Sequence, residues 1–349
     1  MRSWILILVL LGSFSCNNSI SRFEKKSSDK TGVNFKNTLK YTEDFNPYTY
    51  RNFFNGGGVA LGDINNDGLI DIYFTGNIVN NALYLNKGNW KFEDITNSAA
   101  VLCENNWSTG ATFIDLNNDG FLDIYVAKSG KPGGPNRHNE LFINQGDLTF
   151  VESSKDYGLD IEGLSVHAAF FDSDGDLDLD AYVLNNSIRS VGTYDLIQDQ
   201  RNISSDDGNK LLENIDNKFK NASSKNGIYS SNIGFGLGIT LSDFNGDLWP
   251  DIFISNDFFE KDYLYLNNNG RGFSEESSTY FDALSMGSMG ADVADMDNDL
   301  IPDLIVTEML PETLSRQKNK QVYESYDKFM LAGSKGYHKQ YPRNTFQRN

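Results

Sequence analysis

From Asp63 to Asp71 the chain reads DINNDGLID, which sets acidic or amide side chains at positions 1, 3 and 5 and a further carboxylate at position 9. Carboxylates crowded into one tight turn repel one another unless a cation sits among them. The same D-x-[DN]-x-D-x-x-x-D pattern returns as DLNNDGFLD from Asp115, DSDGDLDLD from Asp172, DFNGDLWPD from Asp243 and DMDNDLIPD from Asp295. Successive starts lie 52, 57, 71 and 52 residues apart, a period in the range of propeller blades. The longest interval leaves room for an insertion, placed in the polar stretch from about Ser190 to Lys210.

Each repeat sits in one wider frame. A Gly-containing alternating segment precedes it, such as GGGVALGD from Gly56 or STGATFID from Ser108, and a β-rich run such as DIYFTGN or DIYVAKS follows. Third and fourth segments come next, as in NALYLNKG with WKFEDIT and DYLYLNNNG with GFSEESS. Alternation of Tyr, Phe, Ile and Val with period two, broken by Asn-Gly turns, makes these strands. Four strands per unit predict an all-β fold, a β-propeller of four-stranded blades with five units visible and the last incomplete.

The acidic loop then joins the first and second strands of each blade. A hard cation such as Ca²⁺ takes six to eight oxygens, and alternate residues of a tight loop turn their side chains inward. Positions 1, 3, 5 and 9 are the side-chain donors, and position 7 offers a backbone carbonyl. The candidate ligands are therefore Asp63, Asn65, Asp67 and Asp71; Asp115, Asn117, Asp119 and Asp123; and Asp172, Asp174, Asp176 and Asp180. In the last two loops they are Asp243, Asn245, Asp247 and Asp251, then Asp295, Asp297, Asp299 and Asp303. The loop is shorter than an EF-hand, lacks its Glu at position 12 and has strands on both sides. The alternative is a solvated turn in which Asp and Asn bond the local backbone. Position 6 is Gly in the first two loops but Leu177, Leu248 and Leu300 in the others, where a positive φ would cost on the order of 1 kcal/mol or more. Gly175 and Gly246 at position 4 suggest that the tight point of the turn shifts in the third and fourth loops.

These loops and their flanking strands resemble the FG-GAP or VCBS repeats of integrin alpha-chain propellers. The stretch YRNFFNGGGVALGDINNDGLIDIYFTGN is similar to bacterial secreted proteins of the ASPIC/UnbV group, related to cartilage acidic protein. The resemblance runs from about Thr31 to Asn349 and implies an extracellular binding scaffold whose calcium ions rigidify the blades, with the ligands at the loop positions named above. It implies no defined ligand.

The ends read differently. Arg2, the apolar run WILILVLLG and SFSC to Cys16 form a targeting segment, with residues 1–15 as a signal peptide. Cys16 resembles the lipid-bearing first residue of a bacterial lipoprotein, although Ser13 stands at the usual Leu position. Residues 16–30 are polar and without periodicity, a tether before the propeller at 31–349. Near the other end, Pro311 to Gly333 reads as a charged helical excursion inside the fifth unit. NTFQRN from Asn344 aligns with NALYLN at Asn81, so the chain stops within a blade, as expected of part of a longer protein or a disrupted gene product.

Composition narrows the function. The net charge of −18 argues against a nucleic-acid backbone as partner and against an anionic membrane surface, leaving a lipid anchor as the membrane link. With Cys16 lipidated, only Cys103 remains, read as a small buried hydrophobe. Only His138, His167 and His338 are present, and no G-x-S-x-G, H-E-x-x-H or Walker A motif occurs. The expectation is a non-enzymatic calcium-binding adhesion module, exported across the inner membrane to the cell envelope, with an extracellular protein or glycan as ligand. A glycan-processing hydrolase or lyase on a propeller scaffold, or the binding half of a larger envelope protein, are the alternatives. Trp90, Trp107 and Trp249 either form a glycan-stacking surface or belong to the core between blades.

Overall fold

A computed structural model describes residues 23–104, 106–131, 133–187, 189, 195–320 and 326–349. The stretch read as a signal peptide, and Cys16, lie outside the described residues. Strands gather into blades in chain order. The first blade is β1 (Val59–Gly62), β2 (Asp71–Phe74), β3 (Ala82–Asn86) and β4 (Phe92–Asp94). The second is β5 (Ser108–Ile114), β6 (Asp123–Lys128), β7 (Glu140–Asn144) and β8 (Phe150–Glu152). The third is β9 (Ser165–Phe171), β10 (Asp180–Asn185), β11 (Lys210–Asn214) and β12 (Phe219–Asn221). The fourth is β13 (Gly236–Ser242), β14 (Asp251–Asn256), β15 (Tyr263–Asn267) and β16 (Phe273–Glu275). In each, neighbours in sequence are neighbours in an antiparallel sheet. A short β17 (Leu284–Ser285) leads into a fifth blade of three strands: β18 (Gly290–Ala294), β19 (Asp303–Thr307) and, after the excursion, β21 (Thr345–Gln347). Between them β20 (Gln340–Tyr341) pairs in parallel with β17.

The architecture is that of propeller blades, and the core lies between them. Ala60, Tyr73, Leu83 and Leu85 of the first blade meet Ala111, Ile124, Val126 and Phe142 of the second. The same strand positions supply each later junction, down to Phe253 and Leu264 against Leu304 and Val306. Alternation makes this possible: a strand with both faces apolar packs one face against each neighbour. The faces of the first and fifth blades that meet no neighbouring blade carry exposed Val59, Leu61, Ile305 and Phe346.

Both insertions fall inside blades. The polar stretch near Ser190 to Lys210 separates β10 from β11 and holds a helical turn at Ile197–Arg201. The excursion carries helices at Leu314–Lys320 and Tyr326–Ser334. Within the stretch read as a tether, Ser28–Thr31 is a helical turn whose Thr31 is buried. A helical turn follows the fourth strand at Thr96–Ala99, Ser154–Tyr157 and Ser277–Tyr280.

A polar device closes the blade end opposite the acidic loops. The side-chain oxygen of the residue opening each third strand accepts the backbone N–H at the end of the second. The donors to Asn81, Asn139, Asn209 and Asn344 are Gly76 (2.9 Å), Lys128 (2.7 Å), Asn185 (2.9 Å) and Glu308 (2.6 Å). In the first two blades the same amide donates to a buried tyrosine, Tyr73 at 2.9 Å or Tyr125 at 2.8 Å. The fourth blade has Phe253 in the tyrosine's place, so no phenol is there to accept, and Asp262 replaces the Asn. Its Oδ1 accepts from Asn256 N and its Oδ2 from Ser288 Oγ, both at 2.7 Å.

Asp262 is fully buried, and burial pushes its carboxyl up to about 7. A folded-state pKa raised above the unfolded value gives stability that is present in acid and lost as pH rises through the folded value. Asp262→Asn keeps the shape and removes the titration. Thermal melts at pH 5 and pH 8 should therefore show wild type losing more stability than Asp262→Asn across that interval; equal losses would refute the assignment.

Candidate metal loops

The five loops fold alike, and the cause is a repeated set of backbone-to-carboxylate bonds. The position-1 aspartate accepts from the amide of position 6 in every loop: Gly68 (2.7 Å), Gly120 (2.9 Å), Leu177 (3.1 Å), Leu248 (2.8 Å) and Leu300 (3.0 Å). The position-5 aspartate accepts from the amide of position 7 at 2.9–3.0 Å in every loop. Local Asx-type bonding is thus present. It leaves further carboxylate lone pairs for a cation.

The position-9 aspartates have a second task. Asp71, Asp123, Asp180, Asp251 and Asp303 are buried. Oδ2 of each accepts the amide of position 2 in its own loop, from Ile64, Leu116, Ser173, Phe244 and Met296 respectively. Oδ1 of each accepts the amide of the asparagine at or just beyond the end of the third strand: Asn86, Asn144, Asn214, Asn267 and Asn349. Burial raises the carboxyls of Asp71 and Asp180 and pushes those of Asp123 and Asp251 up to about 6, against the lowering effect of these amides.

Three of those asparagines also reach across a blade junction. Asn144 Nδ2 donates to Ile64 O at 2.9 Å, Asn267 Nδ2 to Ser173 O at 2.9 Å and Asn349 Nδ2 to Phe244 O at 2.7 Å, each carbonyl belonging to the preceding blade's loop. Asn66 Nδ2 donates to Gly120 O at 2.9 Å, joining the first loop to the second. The loops are therefore neighbours along one end of the blades.

Convergence of side chains differs among them. Asp172, Asp174 and Asp176 bring ligand oxygens within 4.8 Å of one another, as do Asp295, Asp297 and Asp299. In the other three loops Asn65, Asn117 and Asn245 stand at position 3 and donate Nδ2 to the position-5 carboxylate at 3.1, 2.9 and 3.0 Å. The third loop is the most crowded. Position 7 adds Asp178, whose carboxyl is pushed up to about 6 by burial and the charges of Asp176 and Asp180, and the neighbouring strand adds Glu213. The fifth loop has an internal cation instead: Arg348 Nε lies 2.6 Å from Asp297 and Nη2 lies 3.6 Å from Asp299.

Oxygen-only donor sets of this kind fit a hard divalent cation, and the third loop fits best because its three carboxylates converge and, among the described residues, no ion pair is made to them.

The expected shift of the tight point does not occur. Position 4 is left-handed in all five loops: Asn66, Asn118, Gly175, Gly246 and Asn298 have φ of 59, 58, 82, 76 and 63°. Position 6 is left-handed in all five as well, including Leu177 (74°), Leu248 (71°) and Leu300 (71°). Two backbone amides must point at the position-1 carboxylate, and this geometry is needed whatever residue occupies the site. The tryptophans do not form one surface either. Trp107 is 5% exposed and packs with Phe45, Tyr50 and Phe53, while Trp90 is 65% exposed. Trp249 covers the third loop, where a Cβ on Gly175 would lie 2.8 Å from the indole.

Cys103 is buried, and burial raises its thiol. His167 packs over Gly110, where a Cβ would come within 2.4 Å of Nδ1, and burial lowers its pKa.

With the geometry established, the comparisons place the chain. The FG-GAP-like repeat family matches residues 63–126 and 243–306, each running from an acidic loop through the second strand of the next blade or the same segment of the fifth. These two segments are FG-GAP-like repeats, and they lie on four-stranded blades of the propeller kind. Cartilage acidic protein 1 of Mus musculus is 28% identical over 220 residues, and its Homo sapiens counterpart 26% over 220 residues. Each match covers 63% of this chain and 31% of the relative, so the chain spans about a third of the length of the curated relatives it matches. Among solved structures, the V. cholerae biofilm matrix protein Bap1 aligns with a TM-score of 0.39 at 16% identity, covering 76% of this chain and 36% of Bap1.

The left-handed leucines carry a stability prediction. An L side chain in this region costs roughly 1–2 kcal/mol, partly offset by the extra unfolded-state freedom of glycine. Leu248→Gly should raise stability by about 0.5–1 kcal/mol in denaturant titration. A loss of stability would show that the leucine makes a contact that outweighs its strain.

Proposed function

We propose that the chain is an extracellular binding module, without catalytic chemistry of its own, whose blades are fixed by calcium in the acidic loops. The observation that carries this reading is the meeting of Asp172, Asp174 and Asp176 beside Asp178, a concentration of negative charge that a hard cation relieves. Bound calcium would supply that positive charge. The chain's own part is to hold the oxygens: amides of positions 6 and 7 orient the carboxylates of positions 1 and 5, and the buried position-9 aspartate locks the loop to the third strand. The third loop would bind most tightly. The fifth would bind more weakly, because Arg348 competes for Asp297 and Asp299.

Similarity to cartilage acidic protein 1 supports an extracellular location. Export through the N-terminal segment, anchoring at Cys16 and an adhesive role toward a protein or glycan belong to the same proposal.

Calorimetric titration of the chain from Asn17, with parallel melts in calcium and in chelator, tests it. At a free concentration 100 times Kd, one site adds about 2.7 kcal/mol, so chelator should lower the melting temperature by several degrees. Terbium gives a local readout, since Trp249, at position 7 of the fourth loop, also lies against the third and would sensitise emission from either. Trp249→Phe should abolish that emission while calorimetric binding persists. Absence of both heat and thermal shift would reduce the loops to hydrogen-bonded turns.

A further inference from the structure

Leu177, Leu248 and Leu300 combine two unfavourable features at one position. Each is in the left-handed region, an outlier for a bulky side chain, and each is 88, 92 and 91% exposed respectively. Glycine does the same backbone work at Gly68 and Gly120 without strain and without exposing apolar surface. The fold of the loop therefore does not ask for leucine. Strain kept at a repeated place points toward function.

The three occupy the same apex in three consecutive blades, so they stand along one arc of the loop-bearing end. Half-buried Trp249 lies between the third and fourth loops. Met296 and Ile301, 55 and 42% exposed, extend the arc in the fifth. We infer that this arc docks on a lipid surface, with the three leucines entering the interfacial region and Trp249 lying near headgroup level.

The shape selects this occupant. Each leucine projects from a convex loop with its side chain free on almost all sides, forming neither a groove nor a flat patch that a folded partner would cover. A fluid apolar phase accommodates separate projecting side chains without needing shaped pockets. Tryptophan beside leucine is the composition found where protein meets the membrane interface. Charge sets the condition. The carboxylates beside the leucines repel anionic headgroups, so docking prefers a zwitterionic surface, and calcium in the loops lessens the repulsion. The calcium dependence rests on the reading proposed above; the apolar contact does not.

The test is flotation of the chain from Asn17, which retains every strand and core residue described but lacks the apolar leader, with vesicles of phosphatidylcholine alone or mixed with phosphatidylglycerol. Each mixture is run in calcium and in chelator. Wild type should float with phosphatidylcholine, and phosphatidylglycerol should weaken this in chelator more than in calcium. Leu177→Gly with Leu248→Gly and Leu300→Gly should lose binding by roughly tenfold for each leucine removed. The triple variant relieves strain, so its melting temperature should match or exceed wild type, and unfolding cannot then explain the loss.

Flotation of the triple variant like wild type overturns the proposal, as does wild type that stays unbound at millimolar lipid. Concentration-dependent self-association abolished by the triple variant, without flotation, would assign the leucines to a second copy instead. Melts on the same samples separate the two readings. Calcium stabilisation without flotation sinks only the lipid proposal, and flotation without any calcium response sinks only the calcium one.

Discussion

Every blade depends on one buried carboxylate. The aspartate that opens each second strand is removed from water, and it is held there by two backbone amides, one from its own loop and one from the asparagine that ends the third strand. An unpaired carboxylate at such a site would be costly to bury. The two amides make burial tolerable and in return tie a surface loop to the interior of the sheet. Where the asparagine side chain continues to the preceding loop's carbonyl, as Asn144, Asn267 and Asn349 do, neighbouring loops are joined through the same residue. The acidic loops are thus part of the packing between blades.

Chemistry varies around this constant frame. At one third-strand position the first, second and fourth blades place Leu85, Ile143 and Leu266 in the core, whereas the third has Glu213 and the fifth Arg348. Glu213 stands beside the third loop and is paired with Lys225 at 3.2 Å. Arg348 reaches the fifth loop's carboxylates and cancels part of their charge. The same backbone thereby presents loops of graded demand for a cation. A similar exchange occurs at the opposite end of the blade, where Phe253 in place of tyrosine accompanies Asp262 in place of asparagine.

Much of this was legible in the chain because repeats expose spacing. Five acidic motifs at near-blade intervals, each followed by a period-two run, suffice to predict strand order, loop placement and the candidate oxygens. Helical turns after the fourth strands escaped notice because segments such as TNSA and SKDY have four residues and no periodicity to read. The glycines at position 4 of two loops misled in the other direction. They suggested a moved turn, whereas asparagine takes the same left-handed backbone in the remaining loops, as its short polar side chain allows. Trp107 shows the limit of composition: nothing local distinguishes a tryptophan packed under Phe45 and Tyr50 from one exposed at a turn, as Trp90 is.

By itself the sequence determined the all-β repeat, the number of loops begun and the residues that line them, because periodicity and spacing are properties of the chain. Tertiary structure alone decided which carboxylates converge, which are buried and which meet a cation of the protein's own, because those depend on neighbours far away in sequence. It also decided that leucine at three loop apices is both strained and exposed. The φ of a loop residue is imposed by amides that must reach a distant carboxylate, and exposure follows from where the blade places that loop.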